Sequence, residues 1–314
     1  MSIEIRPLVP ADAVGATEIF RVAFGTFLGL PDPLAFMGDA DLVGPRVRSG
    51  HCRCWGAFEQ GELVATVATS RWGDFAVLGP LAVRPTHWNR GLGQQLTHAS
   101  MADVTEWGCT RAGLFTFPDS TKHVGLYQKF GFRPQYLTAV MARRVAGAQR
   151  GEHPCRTLSQ ATGEAREALL GECDAITDRL AEGLSLRGEI LSVHEQQLGD
   201  TVLIPAGGGL DGFAVCHAGA RSEAGTGTTY VKFAAVAPGA GAAQRFSDLI
   251  AACDAFARAR GSEQLVAGVN TAREGAYEAM LREGFATQIL GVAMQRPNTP
   301  GHNASHCFIL DDWR

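Results

Sequence analysis

Residues 78–96 read Leu78-Gly79-Pro80-Leu81-Ala82-Val83-Arg84-Pro85 and then T-H-W-N-R-G-L-G-Q-Q-L. The first part is an apolar strand, the second a tight turn, and the third opens a helix. The strand reads as Phe75 to Val83, and Pro80 inside it lacks a ladder donor, which predicts a bulge or a splayed edge. The helix is expected from about Gly91 to Trp107, with Leu92, Leu96 and Ala99 on one buried face. A strand, a glycine-bearing turn and a helix N-terminus together form an anion site, because unpaired backbone N–H groups and the positive end of the helix dipole face outward. Gly91 and Gly93 let the main chain approach a phosphate closely, and Arg90 adds a cation beside it.

Elements on either side follow the same α/β plan. Ile3 to Leu8 reads as a strand, Pro10 to Phe24 as a helix and Gly25 to Pro33 as a loop, in which the run Phe24 to Asp32 is unusually apolar. That loop either packs on its own domain or walls a substrate site. Arg53 to Phe58 and Leu63 to Arg71 form a hairpin. Ala112 to Phe117 is a strand, Lys122 to Phe130 a short helix and Tyr136 to Arg143 a strand. A breaker-rich linker is expected over 146–155, dividing the chain into domains 1–145 and 156–314. In the second half, helices are expected at Glu164 to Leu180, Arg245 to Arg260 and Gly275 to Arg282. Strands alternate with them, and Cys307 to Trp313 ends the series as one more strand.

The 314 residues suit two domains of roughly 150 residues each. With 46% hydrophobic and 19% charged residues, a large core is possible and disorder is disfavoured. The formal charge of −4 argues against a globally basic nucleic-acid binder. No apolar run approaches the roughly 18 residues of a membrane span, and the start lacks a secretory pattern, so a cytoplasmic protein is expected. The 8 cysteines are scattered, with only Cys52-Arg53-Cys54 close together, and no metal site is expected.

The two halves repeat each other. Val83, Pro85, Leu96, Gly108, Gly131, Phe132, Met141 and Arg143 recur as Val236, Pro238, Leu249, Gly261, Gly284, Phe285, Met294 and Arg296, always 153 positions on. At that offset Trp88–Gly93 faces Gly241–Phe246, which carries neither glycine of the pair, and Tyr127 faces Met280. The second copy therefore reads as degenerate, with Asn270, Arg273 and Glu274 as a capped helix start.

The stretch 78–96, followed by Gly125-Leu126-Tyr127-Gln128-Lys129-Phe130-Gly131-Phe132, resembles the GNAT superfamily of acyl-CoA-dependent N-acetyltransferases. The resemblance covers about residues 1–145 and echoes weakly over 156–314. It implies two tandem α/β (α+β) domains, each with a mixed, mostly antiparallel sheet flanked by helices. It implies acetyl-CoA as co-substrate, with Leu81, Ala82 and Val83 pairing with the pantetheine arm through backbone groups. Asn89, Arg90, Gly91, Leu92, Gly93 and Gln94 would cradle the pyrophosphate, and Tyr127 would act as general acid on the departing thiolate.

Two departures stand out. Trp88 replaces the Gln or Arg that usually opens the family's loop, although the backbone amides remain. Phe75 to Val83 has no carboxylate where the family often carries a Glu base. Asp74, Asp119, His123 and a water chain are the candidates for that role. The resulting expectation is transfer of an acyl group to a primary amine of a small molecule, by a monomer or homodimer that binds neither nucleic acid nor membrane. A non-catalytic acyl-CoA sensor or scaffold, and acetylation of a protein or peptide amine, remain as alternatives.

Overall fold

The computed structural model describes residues 2–145 and 156–314. The expected linker at 146–155 lies outside the described residues. The front copy runs β1 (Ile3–Pro7), α1 (Ala13–Phe27), α2 (Gly44–Val47), β2 (Cys52–Glu59), β3 (Glu62–Trp72), β4 (Phe75–Val83), α3 (Leu92–Glu106), β5 (Arg111–Thr116), α4 (Thr121–Gln128) and β6 (Arg133–Arg144). The rear copy runs β7 (Arg156–Thr157), α5 (Gly163–Leu180), α6 (Arg187–Glu195), β8 (Gly199–Ala206), β9 (Gly209–Gly219), β10 (Gly225–Val236), α7 (Ala242–Ala259), β11 (Gln264–Asn270), α8 (Glu274–Arg282), β12 (Ala286–Arg296) and β13 (Ile309–Leu310).

The strands build one sheet in the order β1-β2-β3-β4-β5-β12-β6-β11-β10-β9-β8-β7, with β13 added to β10. That order is a palindrome of the two copies. Its centre is a reciprocal exchange: β12 of the rear copy lies antiparallel to β5, and β6 of the front copy lies antiparallel to β11. The exchanged strands also pair with each other, Leu290 opposite Ala139 and Val292 opposite Leu137. Burial drives the exchange. Met141 of β6 is fully buried in the rear core beside Phe256 and Met280, while Met294 of β12 is fully buried in the front core beside Leu114 and Phe132. Each methionine stabilises the partner half by about 1.5–3 kcal/mol. A third core is shared, joining Trp72, Phe75 and Val77 to Phe213, Phe233 and Ile309.

Local chemistry sets the remaining turns. The β2–β3 hairpin closes on Gln60 and Gly61, both at positive φ (53° and 83°), the two-residue turn that matches strand twist. Three expectations need correction. Helix α1 continues to Phe27, so Phe24 and Phe27 are helical and not part of a loop. Helix α6 was not anticipated, because its buried Glu189 breaks the apolar pattern of an amphipathic helix. The terminal strand shrinks to Ile309–Leu310. Among the described residues no helix is long and apolar enough to cross a membrane.

Candidate active site

The site starts from a failure of pairing. β4 lies parallel to β5 only over Phe75–Val77, and past that point the strands part. The β4 ladder with β3 shifts register between Leu81 and Leu78, across Gly79 and Pro80. Arg84 N donates to Val64 O at 2.9 Å, which makes Arg84 and Val64 a hydrogen-bonded pair. By alternation Ala82 bonds to Thr66 across the ladder, and the backbone groups of Leu81 and Val83 point the other way, into the opening. The structure thus turns Leu81 and Val83 toward the gap and Ala82 away from it. The Val83 carbonyl accepts from Trp88 Nε1 at 2.7 Å, so Trp88 ties the loop to the strand.

The turn after Pro85 leads into α3 through Gly91, which caps the helix at φ 78° and ψ 4°. That conformation penalises a side chain, and glycine is there for it. Helix geometry leaves the amides of Leu92 and Gly93 without a carbonyl one turn back. The Leu92 side chain is buried, so only its main chain faces the turn. A Cβ at Gly93 would sit 3.4 Å from Leu126 and 3.6 Å from Leu81, which brings α3, α4 and β4 together at one point. Gln94 lies in the first turn of α3, exposed.

Arg90 does not stand free. Its guanidinium pairs with Glu59 (Nη1–Oε2 3.1 Å), and His87 Nε2 reaches the same carboxylate at 3.0 Å. The hydrogen bonds from Arg90 and then His87 hold Glu59 at about 2. Lys122 of α4 donates to the neutral Asn89 Oδ1 at 2.8 Å, and no carboxylate pairs with it among the described residues. The uncompensated cation beside the turn is therefore Lys122, which the sequence reading did not single out.

Tyr127 lies half-buried on α4, edge-on to Phe132 with ring centroids 6.3 Å apart, and burial pushes its phenol up to about 12. His123 is one turn earlier on the same face of α4. Its Nδ1 lies 2.9 Å from Ser120 Oγ, its ring 5.1 Å from that of Phe27, and burial followed by the Lys122 charge lowers its pKa. Asp74 is elsewhere. It precedes the paired end of β4, roughly 23 Å along the strand from Leu81 at strand rise. Its oxygens accept from Thr110 N (2.8 Å) and Thr110 Oγ1 (2.5 Å), so it braces the start of β5. Asp119 is exposed in the turn before α4.

A group invisible in the sequence backs the opening. Arg46 Nη1 donates to the Gly79 carbonyl at 2.6 Å, at the register shift itself. Its other nitrogens bind Glu223 Oε1 (2.8 and 3.0 Å) and the Arg314 carbonyl (2.7 Å), and Lys232 Nζ meets Glu223 Oε2 at 2.8 Å. Arg46 and Glu223 are 177 positions apart, so no local spacing could announce the pair.

Residues 22–132 match the family model described as acetyltransferase (GNAT) family. The match falls wholly within the front copy, so the front copy is similar to GNAT acetyltransferases. No curated protein matches its sequence. Among solved structures, a candidate acetyltransferase from Pyrococcus horikoshii superposes with a TM-score of 0.70 at 14% identity, covering 99% of this chain and 95% of that one. A GCN5-related N-acetyltransferase from Sphaerobacter thermophilus gives 0.58 at 17% identity, over 95% and 96%. A tandem GNAT protein of the clavulanic acid biosynthesis pathway gives 0.57 at 12% identity, over 94% and 98%. At these identities the likeness is one of fold, and it spans both copies: the chain folds as a tandem GNAT protein.

The two copies of the fold treat the same place differently. Leu81–Val83 corresponds to Ala234–Val236 at the 153-residue offset. There β13 lies on β10, with Leu310 opposite Ala234 and Ile309 opposite Ala235, and Val236 N donates to Phe308 O at 3.4 Å. The rear opening is filled by the chain itself. The turn also differs from the alignment expected above. Gly241 caps α7 at φ 82°, which makes it the counterpart of Gly91, three residues out of the constant offset. The rear turn is three residues shorter, and Arg245 folds over it onto the carbonyls of Ala237 (2.7 Å) and Ala240 (3.0 Å).

Proposed function

We propose that the front copy transfers an acetyl group from acetyl-CoA to a primary amine of a small molecule, and that the rear copy is catalytically silent. The observation that carries this reading is the parting of β4 from β5 after Val77, with the backbone of Leu81 and the Val83 amide turned to the opening and α4 closing it. The residues fit a CoA thioester. An extended arm would add to β4 as a strand adds to an edge. Leu92 and Gly93 amides would hold the diphosphate, with Lys122 supplying charge. Acetyl-CoA, when bound, supplies the acyl thioester whose thiol leaves on transfer.

The chain's own part is positioning and proton handling. Tyr127 keeps its proton at Oη until about pH 12, so at neutral pH it has one to give to a departing thiolate. A lowered pKa keeps His123 neutral, and with Nδ1–H donating to Ser120 Oγ its Nε2 would be free to take the amine's proton. Arg46 fixes the Gly79 carbonyl, and through it the kink in β4.

Acetyl-CoA consumption against a panel of amines tests the reading. Turnover with a small amine that Tyr127→Phe strongly reduces supports it. CoA binding without turnover for any amine would favour a sensor, and turnover only on peptide amines would move the acceptor to proteins.

A further inference from the structure

Across the opening from α3 and α4, the sheet carries a continuous run of rings. The last parallel pair is Val77 opposite Gly113, so Phe115 and Phe117 follow on β5 along the side where β4 has parted from it. Phe117 touches Phe27 (5.2 Å between centroids), Phe24 (6.5 Å) and Phe115 (6.4 Å). Phe24 stacks on Phe36 at 5.8 Å, and Phe27 meets His123 at 5.1 Å. Helix α1 packs on β3 and β4, so its phenylalanines reach β5 across the gap and roof it. Phe27 is 41% exposed and the other rings are half-buried, as a wall facing a guest would be and a closed core would not.

The buried charges nearby are already used. Arg46, Glu223 and Lys232 are each at most 5% exposed and bound to one another. On the connection between α1 and α2, Asp32 accepts from Leu34 N, Asp39 from Thr226, and Asp41 from Thr17. Asp119 beyond Phe117 and Lys122 beside His123 lie exposed at the rim, and among the described residues no buried charge near the rings is left without a partner to receive a second ammonium or a carboxylate.

Building on the transferase reading above, we infer that the acceptor is a primary amine carried on an aromatic, otherwise uncharged body, with Phe117 and the rings around it as its specificity wall. Rings offer flat faces and edges that match an arene in offset or edge-on contact. A polyamine or an amino acid would have to bring its additional charge into this wall unpaired, which is unfavourable.

The test compares 2-phenylethylamine, n-hexylamine, spermidine and glycine at saturating acetyl-CoA, with CoA affinity measured separately by calorimetry. The expected kcat/KM for 2-phenylethylamine exceeds those for spermidine and glycine at least tenfold. Phe117→Ala should lower that value about tenfold through KM, leaving CoA affinity within twofold, and Phe117→Tyr should restore most of it. Phe27→Ala, at an exposed position, provides the same readout if Phe117→Ala fails to fold. Preference for spermidine or glycine, no turnover of any of these amines by a CoA-binding protein, or an equal loss for all amines in both alanine variants overturns the inference while leaving CoA binding intact. Failure to bind CoA at all overturns the transferase reading beneath it.

Discussion

On one sheet, at equivalent heights, Leu81–Val83 face an opening while Ala234–Val236 carry a strand of the same chain. The scaffold around them is shared: a left-handed glycine caps both helices, and both β strands leave their parallel neighbour partway along. What separates the copies is small. One turn lost three residues, an arginine folded over what remained, and Phe308–Leu310 settled where the front half keeps a free edge. The difference teaches that an edge strand must be satisfied somehow, by a ligand or by the protein itself.

The strongest way to break this comparison is to separate the halves. Residues 1–145 alone should not give a stable monomer, because β5 would lack β12 and Met141 would lose the rear core. Size-exclusion chromatography with circular dichroism checks this, and a folded monomer would refute the exchange as a requirement. Next in size, Tyr127→Phe should reduce kcat by about 10²–10⁴ with CoA affinity unchanged. Met280→Leu, at the equivalent rear position, should leave kcat alone. Glu223→Gln leaves Arg46 and Lys232 buried beside a neutral group, and denaturant melts should show a loss approaching about 3–5 kcal/mol.

Finer tests sharpen the contrast. Calorimetry should give one CoA per chain. Gly93→Leu should weaken binding tenfold or more, because even a Cβ there already meets Leu126 and Leu81. Ala243→Leu, in the first turn of α7, should change nothing. The smallest effect is in pH dependence. A base must be unprotonated and an acid protonated. Activity should therefore rise through a pKa below the usual 6.5 of histidine and stay level until Tyr127 ionises near 12. In His123→Gln the acidic limb should disappear.

Much of this was legible in the sequence because it is local. The β4 proline, the turn glycines and the Tyr127 helix all lie within about fifty residues, and turn chemistry and periodicity report such neighbours. The 153-residue repeat gave the second copy and the placement of α4 against α8. The Gly241 shift was missed because a constant offset hides a three-residue deletion once the helix lengthens by a turn in compensation. Arg46, Glu223 and Lys232 carry no local signal, since only the fold brings α2 to the β9–β10 connection. Asp74 looked like a base from its place before β4, but the paired end of that strand is the far end. The exchange of β6 and β12 left no trace either, because each strand has the pattern of a central strand whichever neighbour it takes.

That exchange has a consequence at the ribosome. The outer edge of β5 is complete by residue 116, yet the strand that covers it ends at residue 296. At about 5–20 residues per second, a bare hydrogen-bonding edge persists for roughly 10–40 s of synthesis. Nascent chains halted near residue 200 should be cleaved readily by protease within the front half, whereas the released protein should resist. Translation speed between the two copies thus becomes a determinant of yield.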